Sequence, residues 1–109
     1  MKLVNLTPHS ITIMDSEEKV VVEIPPSGKI LRLEETVVEA GEIDGIPLVR
    51  KVYGVPELPP REPDTVYVVA PLLLQYVRRA DFVAPDTGPQ SVVRDAEGRI
   101  IGVKRFMTA

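Results

Sequence analysis

Short runs of β-branched residues, separated at regular intervals by turn residues, constrain the fold of this chain more than any other feature. The turns recur about every eight to twelve residues, which is the spacing of a β-sandwich or a small barrel. Eleven prolines and seven glycines supply many of these turns. The pattern therefore predicts a mainly β fold, an antiparallel β-sandwich or small barrel of about eight strands, in a single domain over residues 1–109.

The predicted strands cover most of the chain, and no internal repeat is evident. Asp44-Gly45 predicts a tight hairpin because both positions tolerate a positive φ. The run Thr65–Ala70 is apolar at nearly every position, which is typical of a central strand covered on both faces. The strands are expected at Lys2–Leu6, Ile11–Met14, Lys19–Ile24, Ile30–Leu33, Thr36–Ile43, Ile46–Tyr53, Thr65–Ala70, Ser91–Asp95 and Arg99–Phe106.

Three other segments are expected to differ from this strand pattern. Pro71–Arg79 predicts the one short helix, because proline is favoured in a first helical turn and apolar residues recur at three- and four-residue spacing. Ala80–Gln90, with two prolines and a glycine, predicts an irregular loop. Gly54–Asp64 contains four prolines and predicts an extended connection. This connection is either a rigid surface crossover or a lid.

Composition excludes several classes of function. A net charge of −3 argues against a nucleic-acid binder that neutralises phosphates. The apolar stretch Val66–Leu74 is half the length that a spanning helix requires and contains Pro71, so no contact with a membrane is expected. No secretory signal is recognised, and we expect a cytoplasmic protein. With no cysteine and only His9 as an imidazole, neither a metal site nor a cofactor is predicted.

No catalytic constellation is recognisable, and the chain is predicted not to be an enzyme. His9 and Ser10 are adjacent, whereas a triad needs its members to converge from separate segments. Asp81 and Asp86 share one loop and could form an acid–base pair, but aspartates in loops more commonly bind backbone amides. Asp86-Thr87-Gly88-Pro89 lacks the glycine spacing and the lysine of a phosphate-binding loop.

Charge is unevenly distributed, and this predicts where an anion would bind. Residues 1–48 hold nine acids and four bases, whereas residues 49–109 hold seven acids and nine bases. Guanidinium groups bind phosphate bidentately and aromatic rings can stack on a base, so the C-terminal half predicts a site for a small anionic, nucleotide-like ligand. The alternative is a solvated basic face. The candidate ligand-binding residues are Arg78, Arg79, Asp81, Phe82, Asp86, Thr87, Arg94 and Arg105, with Asn5 and His9 from the opening turn.

The most specific expectation concerns Arg79. As a basic residue on a rim it should contribute little to folding, and Arg79→Ala should weaken ligand binding by about 1.5 to 3 kcal/mol. Phosphate should contact arginine, the base should stack on an aromatic ring, and an aspartate should accept hydrogen bonds from ribose hydroxyls.

Seven motifs together resemble a family of small proteins encoded in bacteriophage and prophage genomes. The resemblance spans nearly the whole chain, and its more specific parts are the opening and the two motifs between Arg79 and Pro89. The motifs are Asn5-Leu6-Thr7-Pro8-His9, Pro25-Pro26-Ser27-Gly28, Asp44-Gly45-Ile46-Pro47, Thr65-Val66-Tyr67-Val68-Val69, Arg79-Ala80-Asp81, Ala84-Pro85-Asp86-Thr87-Gly88-Pro89 and Gly98-Arg99-Ile100-Ile101-Gly102-Val103.

The resemblance implies a phage setting and no particular activity. Combined with the arginines among the candidate ligand-binding residues, it leads to the expectation of a phage protein that sequesters a nucleotide-derived host defence signal without catalysis. A virion or assembly component is the alternative, and a nucleotide-processing enzyme is a third possibility. Strands with apolar side chains on both faces, in so short a chain, further predict a homo-oligomer.

Overall fold

The fold of residues 1–109 was obtained as a computed structural model and contains ten strands in three sheets. One sheet has the order β1-β6-β7-β10, a second has the order β3-β2-β9-β8, and β4 pairs only with β5. The strands are β1 Lys2–Asn5, β2 Ile11–Met14, β3 Val20–Ile24, β4 Glu34–Ile43, β5 Ile46–Gly54, β6 Thr65–Val68, β7 Phe82–Pro85, β8 Val92–Arg94, β9 Ile100–Val103 and β10 Phe106–Thr108.

The predicted mainly β class is confirmed, and no sheet closes into a barrel. Pairing is antiparallel in the hairpins, as expected, but β6 is parallel to both of its neighbours and β2 is parallel to β9. These parallel pairs were not predicted, because a tight turn can join only antiparallel strands.

The central strand β6 shows why the two four-stranded sheets pack together. Tyr67 belongs to the larger apolar cluster, while Val68 contacts the smaller cluster formed with Ile11 and Ile24 of the second sheet. Because successive side chains of a strand point to opposite faces, β6 is covered on both sides, as its apolar sequence predicted. Its burial places it at the centre of the core.

The Asp44-Gly45 hairpin is confirmed. Asp44 has a φ of 50° and Gly45 a φ of 79°, so both central residues adopt the left-handed region that this turn requires. Other expectations need correction. Residues 30–33 form no strand, because the backbone N–H of Leu31 bonds to the carbonyl of Leu6 rather than to a sheet ladder.

Three further segments differ from their predicted structure. The predicted helix is a five-residue 3₁₀ helix, Pro71–Gln75, and no helix of the chain is long and apolar enough to cross a bilayer. The expected irregular loop 80–90 contains β7, which is buried between β6 and β10. The expected last strand ends at Val103, and β10 then joins the other sheet. Local propensity did not show these changes because the pairing partners are remote.

Two hairpins use the same five-residue turn, although no repeat was evident from the sequence. In β2–β3 the Asp15 carboxylate accepts the backbone N–H groups of Glu17 and Lys19. In β8–β9 the Asp95 carboxylate accepts those of the two residues at equivalent positions, Glu97 and Arg99. Each aspartate thus satisfies amides that the turn leaves unpaired.

The proline-rich connection is extended, as predicted, and is fixed to the body of the protein. The Tyr67 hydroxyl donates to the carbonyl of Pro60 at 2.9 Å. The Arg79 guanidinium donates to the carbonyl of Pro59 at 2.7 Å, and Leu58 packs against the larger apolar cluster. These contacts favour the rigid crossover over the lid.

Gly102 of β9 provides a test of the packing between β9 and β2. A Cβ atom there would lie 2.9 Å from the Met14 sulfur and 3.0 Å from the carbonyl oxygen of Thr12. We expect Gly102→Ala to lower the free energy of unfolding by about 1 to 3 kcal/mol, because overpacking forces neighbours to move. Urea denaturation measures the change. In the control Gly54→Ala, the nearest atom is a Glu34 carboxylate oxygen at 3.4 Å, and the change should stay within about 0.5 kcal/mol.

Candidate functional site

The structure does not bring the ten predicted site residues together. Thr87 and Arg94 line one pocket and His9 lines another, while Arg78 to Phe82 line neither. The first pocket, here called the basic groove, has a volume of about 440 Å³. It is lined by Glu18, Thr87, Pro89, Val92, Val93, Arg94 and Lys104.

Arg79 is held inside the fold. Its Nε and one terminal nitrogen donate to both carboxylate oxygens of Asp81, at 2.9 and 2.6 Å, and its other terminal nitrogen donates to Pro59. Its guanidinium carbon lies 4.6 Å from the centre of the Phe82 ring. The two charged side chains are only 13% and 17% exposed. The expectation that Arg79 lies on an exposed rim is therefore wrong.

Phe82 and Asn5 also need correction as ligand contacts. Phe82 is fully buried and packs edge-on against Tyr67, so its ring has no free face for a base. The Asn5 side chain is buried, and its amide donates to the carbonyls of His9 and Ile24. Its oxygen accepts from the N–H and hydroxyl of Thr7. These four bonds use the full capacity of an asparagine side chain.

The loop that carries Thr87 is fixed by hydrogen bonds at both ends. At its start, the Asp86 carboxylate accepts the N–H of Gly88 at 2.9 Å and the Arg105 Nε at 2.6 Å. At its end, the buried Ser91 accepts the backbone N–H of Lys104 through both its hydroxyl and its carbonyl oxygen. Thr87 and Lys104 are thereby positioned relative to each other.

Asp86 and Arg105 consequently order the loop beside the groove. The Arg105 guanidinium, together with the N–H of Gly88, holds the pKa of Asp86 below its usual range. Asp86 is therefore ionised at neutral pH and suited to this ion pair. Asp86 and Arg105 do not themselves line the groove.

Arg94 and Lys104 are the two cations of the groove, and neither forms an ion pair within the chain. Arg94 lies on β8, where one guanidinium nitrogen donates to the carbonyl of Gly98 at 2.7 Å. Lys104 follows β9, the strand that pairs with β8. Two adjacent strands thus bring two cations to one concave surface, where they can bind an anion.

The sequence analysis included neither Glu18 nor Lys104 among the candidate ligand-binding residues, although both line the groove. Glu18 has a φ of 62° in the turn that matches Asp95–Arg99. That shared turn was the available signal. No group of three metal-ligating His, Cys, Asp or Glu side chains is assembled.

Comparison of the chain with protein-family models, with curated proteins and with solved structures found no match.

We expect Arg79→Ala to lower the free energy of unfolding by about 1.5 to 3 kcal/mol, since it removes charge-assisted hydrogen bonds and leaves Asp81 unpaired. Urea denaturation of the variant and its parent gives the difference. The control is Arg78→Ala, because Arg78 is adjacent and exposed. This substitution should change the free energy of unfolding by less than about 0.5 kcal/mol. Equal stability of the two variants would contradict the assignment.

The same ion pair predicts a dependence of stability on pH. The hydrogen bonds from Arg79 lower the pKa of Asp81. A carboxyl group whose pKa is lower in the folded state stabilises the fold above its unfolded pKa of about 3.9, and this contribution is lost as the pH falls through the folded value. We expect Asp81→Asn to be less stable than the parent at pH 7, and the difference to shrink below about pH 4. Urea titrations across this range measure it, and a constant difference would contradict the prediction.

Proposed function

We propose that this chain is a phage-encoded protein that binds and sequesters a nucleotide-derived host defence signal, without catalysis, and that the ligand occupies the basic groove. The proposal rests chiefly on one observation: Arg94 and Lys104 line the same groove and neither forms an ion pair, whereas Arg79, Arg99 and Arg105 are all paired. Cations that form no ion pair within the chain are available to an external anion.

The chemistry of the groove fits a phosphorylated ligand with hydroxyl groups. Arg94 can contact phosphate through its guanidinium, and Lys104 can do so as a point charge. The Thr87 hydroxyl can donate to a phosphate oxygen, and the Glu18 carboxylate can accept from a sugar hydroxyl. A volume of about 440 Å³ lies within the range of small-molecule sites.

The groove has no aromatic side chain, and this changes how a base would bind. Pro89, Val92 and Val93 are the apolar groups that line it beside the cations. A base would therefore lie against aliphatic surface rather than stack on a ring. Recognition would depend mainly on the phosphates, which is compatible with sequestering related anionic signals.

A structural role in the virion or in assembly is the second candidate, and the projecting β4–β5 hairpin favours it. This hairpin exposes several large apolar side chains, among them Val37, Ile43 and Ile46. Both candidates include a homo-oligomer, since the exposed apolar surface needs a partner. The two roles differ in whether a small molecule binds.

Calorimetry against cyclic nucleotides, cyclic oligonucleotides and ADP-ribose derivatives tests the proposal. We expect at least one member of the panel to bind. Lys104→Ala and Arg94→Ala should each weaken binding by about 1.5 to 3 kcal/mol, or roughly ten- to 150-fold, because each removes a charge-assisted contact.

The matched control is Arg99→Ala, which removes the same charge from the same hairpin at a residue paired with Asp95 and Glu97 outside the groove. Its affinity should equal that of the parent. Mass spectrometry of small molecules retained after gentle purification from a defended host gives an independent readout. No binding to any member of the panel, together with no retained molecule, would favour the structural role.

A further inference from the structure

The β4–β5 hairpin, here called the arm, projects from the body of the protein as a sheet of its own. The radius of gyration is 16.6 Å, larger than the value of about 13 Å expected for a compact chain of this length. At the base, the Tyr53 ring meets the Tyr76 ring with centroids 5.7 Å apart. Beyond this contact the arm is a two-stranded ribbon, and such ribbons are marginally stable by themselves.

One face of the arm is mostly apolar. The register pairs Thr36 with Val52 and Val38 with Arg50, and side chains of paired residues share a face. Leu48 lies on the same face, because strand residues two apart point the same way. At the tip, Ile43 is 59% exposed and Ile46 is 66% exposed. Burial of this surface would be strongly favourable.

The edges of the arm are poorly suited to strand addition. The register shifts between Glu39 and Glu42, where Gly41 has a φ of 99°. This bulge makes the free edge of β4 irregular. On β5, Pro47 has no backbone N–H to donate. An occupant would therefore cover the tip and a face of the arm, not extend its sheet.

A largely apolar pocket of about 480 Å³ opens at the base of the arm. Leu6, Ile11 and Leu31 are among its apolar lining residues, and Tyr53 contributes from the arm itself. Arg32 also lines it and forms no ion pair within the chain. The pocket shares no lining residue with the basic groove.

We propose that the occupant of this pocket is the arm tip of a second copy of the chain. Ile43 and Ile46 would enter the apolar pocket, and Asp44, which has no ion-pair partner in its own chain, would face Arg32 of the other copy. Apolar surface would meet apolar surface, and Asp44 would meet Arg32. The pocket's own acid, Glu35, is already paired with Lys51.

The length of the arm makes this exchange reciprocal. The ten residues of β4 extend about 30 Å from base to tip at about 3.3 Å per residue. Two arms that lie side by side in opposite directions therefore bring each tip to the base of the other, where the pocket lies. The contact closes under a two-fold axis, so it yields a dimer and not a filament.

The absence of cysteine from the chain allows a direct test by cross-linking. In the variant Asp44→Cys with Arg32→Cys, the two positions lie near opposite ends of the same arm. They are about 30 Å apart, whereas a disulfide needs Cα atoms within about 7 Å. Only a bond between copies is possible. We expect mild oxidation to convert most of the protein into a covalent dimer.

The matched control pairs Arg32→Cys with Val21→Cys, since Val21 is 63% exposed on β3 and lies outside the arm. This control should cross-link at least ten-fold more slowly. Equal rates for the two double variants would overturn the proposal. So would light scattering that shows the parent chain to be monomeric at micromolar concentrations.

A charge exchange gives the second measurement. Asp44→Lys and Arg32→Glu should each weaken the dimer at least ten-fold, because each homodimer would contain two contacts between like charges. When the two variants are mixed, both contacts of the heterodimer pair opposite charges. We expect the mixture to regain the dimer in sedimentation experiments. The proposal would be overturned if the mixture dimerised no more tightly than either variant alone, or if a single variant dimerised as tightly as the parent. Both outcomes can be read whether or not a nucleotide binds.

Discussion

The buried amide of Asn5 is the interaction on which the rest of the structure depends. Asn5 is the last residue of β1 in one sheet. Its side-chain amide donates to the carbonyl of Ile24, the last residue of β3 in the other sheet. Its other bonds hold the turn from Thr7 to His9 that carries the chain between the sheets. An amide satisfied on all sides tolerates burial, whereas replacement by an apolar group would leave several backbone groups unpaired. The polar residues near the start of the chain thus serve primarily to connect the two sheets.

Features whose signal is local could be predicted from the sequence. The Asp44-Gly45 turn was predictable because both residues adopt a positive φ, which few residue types do without strain. The two-sided burial of β6 was predictable because a strand covered on both faces has no polar alternation. The extended path of Gly54–Asp64 followed from its prolines. In each case a short stretch of chain contains the whole physical reason.

Features that depend on remote partners could not be predicted in this way. The sequence shows Arg79, Asp81 and Phe82 as a basic and aromatic cluster, but their burial depends on Pro59, which is brought from the crossover. A charged residue buried among such partners has the same sequence pattern as an exposed one that binds a ligand. Which of the chain's cations have no ion-pair partner could be determined only from the ion pairs in the structure.

The parallel pairs have a consequence for how the chain is made. Lys2 lies beside Thr65, and Ile13 lies beside Val103, so each sheet joins early residues to late ones. A ribosome releases β1 and β2 long before their partners β6 and β9 exist. Until then their edges and apolar faces are open to wrong pairing, and closure of such long loops is slow. During synthesis the nascent chain therefore passes through an aggregation-prone stage in which its strands are incompletely paired. The yield of folded protein in a cell should depend on chaperone capacity and temperature more than the stability of the final fold implies.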